Sequence, residues 1–236
     1  MVGQVAGKAD LALQQILQRM LENLAIMKGK LDPQDPELLT LLDRASIAAI
    51  AVASQQAWFE QEQELAATCT KLLALAEGTK NVTLAERVAK ICSLRPSGEK
   101  QHAAALVLAR RAVELGTDHP YLAYFQMALG MAEYRSGHFA QADAALLAAQ
   151  EKAPGSPHIA GTSAYYRAMS LFRQGKQEEA CQLAAATATK MRPLPKDAQN
   201  PLADQASADD LILWLAYREA RALIQFETAP PSDSAK

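Results

Sequence analysis

Turn-forming residues are thin in this sequence: 11 glycines and 11 prolines are spread through 236 residues, whereas alanine alone supplies 48. That mix starves turns and strands and favours helix, which excludes the strand-rich classes. Cysteine is scarcer still. Cys69, Cys92 and Cys181 are odd in number, widely spaced and never in a C-x-x-C pair, which argues against a disulfide framework or a zinc site and fits a reducing cytoplasm. Each is read as a small buried apolar residue. Neither sign of charge is in excess: 24 basic against 26 acidic side chains leave −2, so there is no basic footprint for nucleic acid. Long hydrophobic runs are missing too. The longest nearly uncharged stretch, 45–58, is broken by Ser54, Gln55 and Gln56 and is too short to span a bilayer. Residues 1–10 have neither the charged start nor the apolar block of a secretory signal, so the expected location is the cytoplasm. Without such a signal the glycosylation triplet Asn81-Val82-Thr83 carries no weight. What is present is a chain that is half apolar and long enough to bury a core without disulfides or metals.

Apolar residues recur at Leu11, Ile16, Leu17, Met20, Leu21, Leu24 and Met27, the one-sided stripe of an amphipathic helix over 8–30. Asp35-Pro36-Glu37 then supplies a cap, a proline at the first helical position and an acid in the first turn, which start a second helix. No glycine or proline follows until Gly78, so a break is expected near Ser54–Gln56. Thr79–Thr83 reads as a polar connection and 84–94 as a short helix stopped by Pro96, Ser97 and Gly98. Beyond Lys100, helices are expected at 101–115, 121–136, 139–152, 160–174 and 177–190, punctuated by Gly116 to Pro120, Gly137, Pro154 to Pro157 and Gly175. Gly137 and Gly175 are 38 apart, as are Ala142 and Ala180, and Ala105 precedes Ala142 by 37. Self-similarity at a fixed period marks a solenoid, in which each helix pair buries its face against the next.

The clearest copy reads Gln126-x-x-Leu129-Gly130-x-x-Glu133, then Gly137, Ala142-x-x-x-Leu146-x-x-Ala149 and Pro154. It resembles the tetratricopeptide repeat, whose signature of roughly 34 residues runs W-x-x-L-G-x-x-Y, then A-x-x-x-F and P. Gly130 and Ala142 would let two helices approach closely, Gly137 would form the turn and Pro154 would end the second helix. Gln126 stands for the Trp, Glu133 for the Tyr and Leu146 for the Phe. A second copy keeps its small residues in register at Ala164, Ala168, Gly175, Ala180 and Ala184. A preceding one shows mainly Ala105, Ala109 and Ala112. The strings LAERVAKIC (84–92), ARRAVEL (109–115), FQMALGMAEYRSGHF (125–139) and LAYREARALI (215–224) look like the C-terminal repeat region of large bacterial serine/threonine kinases. That resemblance spans about 84–226 and implies a non-catalytic sensory or scaffolding segment, one found apart from its kinase. No kinase motif accompanies it: G-x-G-x-x-G, H-R-D and D-F-G are all missing.

Chemistry-bearing patterns are few. Gly3 to Ala9 has the wrong spacing for a phosphate loop, and Ala9 stands where a Ser or Thr would hold magnesium. His102, His119, His138 and His158 never pair at metal spacing and lie near expected helix ends, where exposed or capping roles suffice. No nucleophile elbow occurs, so neither an enzyme nor a cofactor or metal is expected. Asp209-Asp210 places negative charge at the start of the last helix. One constellation stands out. Tyr124, Met127, Met131 and Tyr134 are spaced 3, 4, 3, and Thr162, Tyr165, Met169 and Phe172 repeat that spacing, so each set forms one helix stripe. In tetratricopeptide proteins, the resemblance implies, this stripe lines the groove that receives a peptide. Here it is apolar, aromatic and Met-rich, suited to an apolar or helical ligand, and lacks the Lys, Arg and Asn of carboxylate-clamping repeats. The alternative is that a neighbouring helix covers the stripe. The helix expected at 207–227, apolar around much of its circumference, is the candidate cover, carried back by a Pro-rich connection at 193–208.

The expectation is therefore an all-α, right-handed helical-hairpin solenoid of tetratricopeptide-like repeats with a C-terminal capping helix. Residues 1–78 form an N-terminal helical extension, 79–227 the repeat domain with its C-terminal helix, and 228–236 a frayed tail. The function expected is non-catalytic binding of a protein or peptide through Tyr124, Met127, Met131, Tyr134, Tyr165, Met169 and Phe172, with no nucleic acid and no membrane as partner. The rival is a self-associating scaffold, a homodimer through the stripe on 11–27, whose groove is filled by its own C-terminal helix.

Overall fold

The structure is a computed structural model that describes residues 10–226. The tail expected at 228–236 and the glycine-containing segment 3–9 lie outside the described residues. Among the described residues the chain is all-α, with ten helices and no strand: α1 (Leu11–Lys28), α2 (Pro36–Trp58), α3 (Glu62–Ala76), α4 (Val82–Cys92), α5 (Glu99–Leu115), α6 (Leu122–Arg135), α7 (Phe139–Lys152), α8 (Pro157–Arg173), α9 (Gln177–Ala188) and α10 (Ala208–Ile224). None of them is long and apolar enough to cross a membrane.

Local chemistry starts the helices where the sequence places them. Asp35 caps α2 by accepting from the Glu37 and Leu38 amides at 2.9 and 3.1 Å, and Pro36 takes the first helical position. Asn81 is the N-cap of α4, its side chain accepting from the Leu84 amide at 3.0 Å. Ser207 and Asp210 form a reciprocal capping box at the start of α10. The break expected at Ser54–Gln56 lies instead at 59–61, where Glu60 takes a left-handed φ of 57° without glycine. The polar trio stays helical because its hydrogen bonds are met nearby. Ser54 Oγ and Gln55 Nε2 donate to the Ala51 carbonyl, and Gln56 Oε1 accepts from Thr68 of α3 at 3.0 Å.

Short connections fold each helix back onto the one before. The helices α2, α4, α6 and α8 also neighbour one another in an inner row, whereas α3, α5, α7 and α9 lie beside it, with α3 and α5 in contact and α9 also touching α10. Packing does not lapse at residue 78, because α2 contacts α4 and α3 contacts both α4 and α5. The helix α1 lies against α2 and α3 at one end. Gly130 shows why α6 and α7 sit so close: an ideal Cβ there would fall 2.2 Å from Leu146 Cγ.

The helix α10 packs on α8 and α9 and also on α2, so it reaches both ends of the inner row. Its approach to α8 requires Gly161, where a Cβ would meet Leu213 Cδ1 at 2.7 Å. The connection 189–207 is pinned by two indoles, Trp214 Nε1 donating to the Arg192 carbonyl at 3.0 Å and Trp58 Nε1 to the Ala198 carbonyl at 2.9 Å.

Candidate functional site

The stripe singled out in the sequence does lie on the inner row, on α6 and α8, but it does not line an open groove. Met127, Met131, Tyr134, Tyr165 and Met169 are buried, and only Tyr124 and Phe172 are half-exposed. The cause is α10. Tyr165 has no exposed surface, with the Tyr217 ring edge-on at 5.6 Å and the Phe226 ring stacked at 6.4 Å. Its hydroxyl donates to Met191 Sδ at 3.2 Å, and burial pushes its ionisation well above the ordinary tyrosine range. Tyr134 meets Tyr166 edge-on at 5.4 Å and Phe139 at 5.8 Å. On its far side α10 presses Trp214 against Trp58 of α2, with ring centroids 5.9 Å apart, and Arg218 lies 3.4 Å above the Trp58 ring.

Sequence reading passed over the polar groups that hold this cover. Arg135, in the last turn of α6, is buried and forms a bidentate pair with Glu219 of α10, one arm at 2.6 Å. Its remaining donors go to the Ser93 and Leu94 carbonyls, each at 2.9 Å, and to the Tyr166 hydroxyl at 3.0 Å. The Tyr166 hydroxyl in turn donates to the Ser93 carbonyl at 3.1 Å. One guanidinium thus ties α10 to α6 and to the end of α4, reaching it by side chain where the backbones stay apart. Burial opposes the charge on Arg135, but the Tyr166 and Glu219 oxygens outweigh it and hold the guanidinium more firmly protonated than usual.

Two further ion pairs line the inner row. Lys90 and Glu86, one turn apart on α4, are buried together at 2.9 Å, with Lys90 Nζ 5.1 Å from the centre of the Tyr124 ring. Burial lowers the Lys90 pKa, yet Glu86 and Asp209 of α10 more than reverse this and raise it. Glu133, which stands where the repeat signature has Tyr, is buried and paired. Its Oε1 accepts from Arg110 Nε and Nη2 at 3.0 and 2.9 Å, and its Oε2 lies 2.7 Å from His138 Nδ1. The polar residue at a packed position is thereby explained by a partner on α5.

Two of the histidine candidates, His102 and His119, have local partners. His102 Nε2 accepts from the Ser97 amide and His119 Nδ1 from the Tyr121 amide, while His158 Nδ1 lies 3.8 Å from Asp210 Oδ1. No group of three or more metal-binding side chains occurs among the described residues. Cys69 and Cys92 are buried as expected, with burial and the neighbouring Cys69 pushing the Cys92 thiol up. Cys181 is only half-buried, a correction that follows from its place on α9 at the edge of α10. Chemically, the arrangement pairs its charges internally and covers Tyr165 with a helix of the same chain. No protein-family model matches this chain, and no curated protein matches it.

Proposed function

We propose that this chain is a non-catalytic, tetratricopeptide-like helical scaffold for protein interaction, in which α10 occupies the place that a helical ligand would take on the inner face. The observation that carries the reading is the burial of Tyr165 beneath Tyr217 and Phe226. That surface has the chemistry of a peptide groove, and its occupant is a helix joined by the long connection 189–207. The 38-residue spacing of Gly137 and Gly175, both at left-handed φ values of 78° and 83°, supports the repeat assignment. So does the close contact of Gly130 with Leu146. The likeness of 84–226 to kinase C-terminal repeat regions favours a sensory or scaffolding role in bacterial signalling. On this reading the partner is an apolar helix that competes with α10, and Tyr165 on α8 is the stripe residue uncovered when α10 leaves.

A fluorescently labelled peptide of sequence 207–226 tests this by anisotropy. It should not bind the parent chain at micromolar concentration, because the tethered copy has an effective concentration in the millimolar range. A Tyr217→Ala/Phe226→Ala variant, with its own α10 weakened, should bind the peptide. A folded variant that leaves the peptide free at the highest soluble concentration refutes the exchange.

A further inference from the structure

Cys69 of α3 and Cys92 of α4 are 23 residues apart in the sequence, a spacing that gives no sign of a pair. The fold brings them together. Their helices pack against each other, and the two thiols, 0 and 1% exposed, meet in side-chain hydrogen-bonding contact. Both lie at an open recess of about 340 Å³ between α3, α4 and the connection 93–98, which Leu65, Ile91, Arg95 and Ser97 also line. Ser97 Oγ is buried with no hydrogen-bond partner among the described residues, which leaves the recess a polar atom for a small polar guest. The third cysteine stands apart, because Cys181 is on α9, which packs only on α8 and α10.

We propose that Cys69 and Cys92 form a redox site, which hydrogen peroxide oxidises to a disulfide joining α3 to α4. Thiols already in contact on packed helices need only a small shift to reach the S–S bond length of about 2.05 Å. The burial selects the oxidant. Sulfurs with almost no surface open to water are closed to a bulky disulfide such as oxidised glutathione, whereas peroxide is neutral, scarcely larger than water, and enters with small openings of the recess wall. One sulfur attacks a peroxide oxygen, the O–O bond breaks, the thiol proton leaves with the departing oxygen as water, and a sulfenic acid remains. The second sulfur then attacks the first and expels its hydroxyl, which takes the second thiol proton to form another water. Two thiols are oxidised, one peroxide is reduced to two waters, and no other reactant is consumed. Because the Cys92 thiol is held protonated, the reaction should take hours rather than seconds. The bond closes the loop 69–92 and constrains the unfolded chain, and thiol reductants reverse it. Neither α3 nor α4 packs on α10, so the inference stands whether or not α10 is exchangeable.

The test needs no variant. The full chain is held in excess hydrogen peroxide at neutral pH for several hours, quenched with catalase, blocked with N-ethylmaleimide in guanidinium and digested. Trypsin places the two sulfurs on separate peptides, 45–71 and 91–100. The expected product is these peptides joined, lighter than their sum by two hydrogens and parted by dithiothreitol, with Cys181 outside any intramolecular link. The linked chain should melt several degrees above the reduced one. In urea the same treatment should give mixed pairings that include Cys181, because only loop length then selects partners. A native chain in which the two peptides stay unlinked after exhaustive oxidation, whatever the state of Cys181, overturns the proposal. So does a native chain that pairs either cysteine with Cys181, a 69–92 link that forms in urea alone, or a linked chain that melts below the reduced one.

Discussion

Replacing Gly130 by alanine adds one methyl group where no room exists. The new Cβ would lie 2.2 Å from Leu146 Cγ and 2.7 Å from its Cδ2, against an ordinary carbon–carbon contact of about 3.5–4.0 Å. Leu146 is fully buried and cannot swing into solvent, so α6 and α7 must separate by more than about 1 Å or Leu146 must leave its rotamer well. Overpacking of this kind costs about 1–3 kcal/mol. Against it stands the gain of alanine over glycine inside a helix, about 0.5–1 kcal/mol. The net destabilisation is about 0–2.5 kcal/mol, and at roughly 2–4 °C per kcal/mol for a chain this long the melting temperature should fall by up to roughly 10 °C. Gly155 is the control. Nothing lies within 4 Å of its virtual Cβ, so Gly155→Ala should be neutral or stabilising by up to about 1 kcal/mol. Leu146→Ala alone should cost about 2–5 kcal/mol, and Gly130→Ala/Leu146→Ala should cost less than the sum because the new methyl enters the vacated space. Thermal melts followed by circular dichroism at 222 nm, repeated in urea, measure all four. A Gly130→Ala chain that melts above the parent would show that the close crossing of α6 and α7 is wrong.

Other contacts give sharp expectations. Arg135→Met leaves Glu219 and the Leu94 carbonyl without their donor and should cost about 3–5 kcal/mol in urea unfolding, a loss that Arg135→Lys should restore only in part because one ammonium cannot serve the fork. Lys90→Met strands buried Glu86 and should cost about 3–5 kcal/mol, whereas Glu86→Leu/Lys90→Met should recover most of that loss. Burial raises the Tyr134, Tyr165 and Tyr166 ionisations in the folded chain, so the folded state holds their protons above pH 10 where the unfolded chain releases them. Their contribution should be fully present below about pH 10 and lost as pH rises through the folded values. Near pH 11, phenolate absorbance at 295 nm should be lower for the native than for the urea-unfolded protein, and equal absorbance would contradict the burial of these rings.

Local signals were legible because they act within a few residues. Asp35-Pro36-Glu37 starts α2, Ser207 and Asp210 start α10, and Gly137 turns α6 into α7. The break at 59–61 was not legible, since Glu60 takes up a left-handed conformation that nothing in its residue type announces, while the polar trio that resembles a break is satisfied inside the helix. Periodicity placed Tyr124, Met127, Met131, Tyr134, Tyr165, Met169 and Phe172 on two matching stripes. It could not say whether those stripes face solvent or another helix, because an open groove and a filled one leave the same apolar spacing. For Tyr165 the matter is decided by Tyr217 and Phe226, far along the chain. Arg135 and Glu219 are 84 residues apart, and neither looks unusual in its own helix. Glu133 was the one hint available: a carboxylate at a position that repeats of this kind pack with an aromatic ring implies a cationic neighbour, found in Arg110.

A linear array of helix pairs ordinarily unfolds by fraying, because each unit is held only by its immediate neighbours and the ends have least to lose. The C-terminal helix changes that arithmetic. By touching α8 at one end of the inner row and α2 at the other, it closes α2, α4, α6 and α8 into a ring, so none of these four can melt without loosening a contact in it, while α1, held only by α2 and α3, stands outside. Trp58 against Trp214 is where the ring closes. Unfolding of the intact chain should accordingly be a single transition, while loss of that indole contact should split it into stepwise melting from the termini.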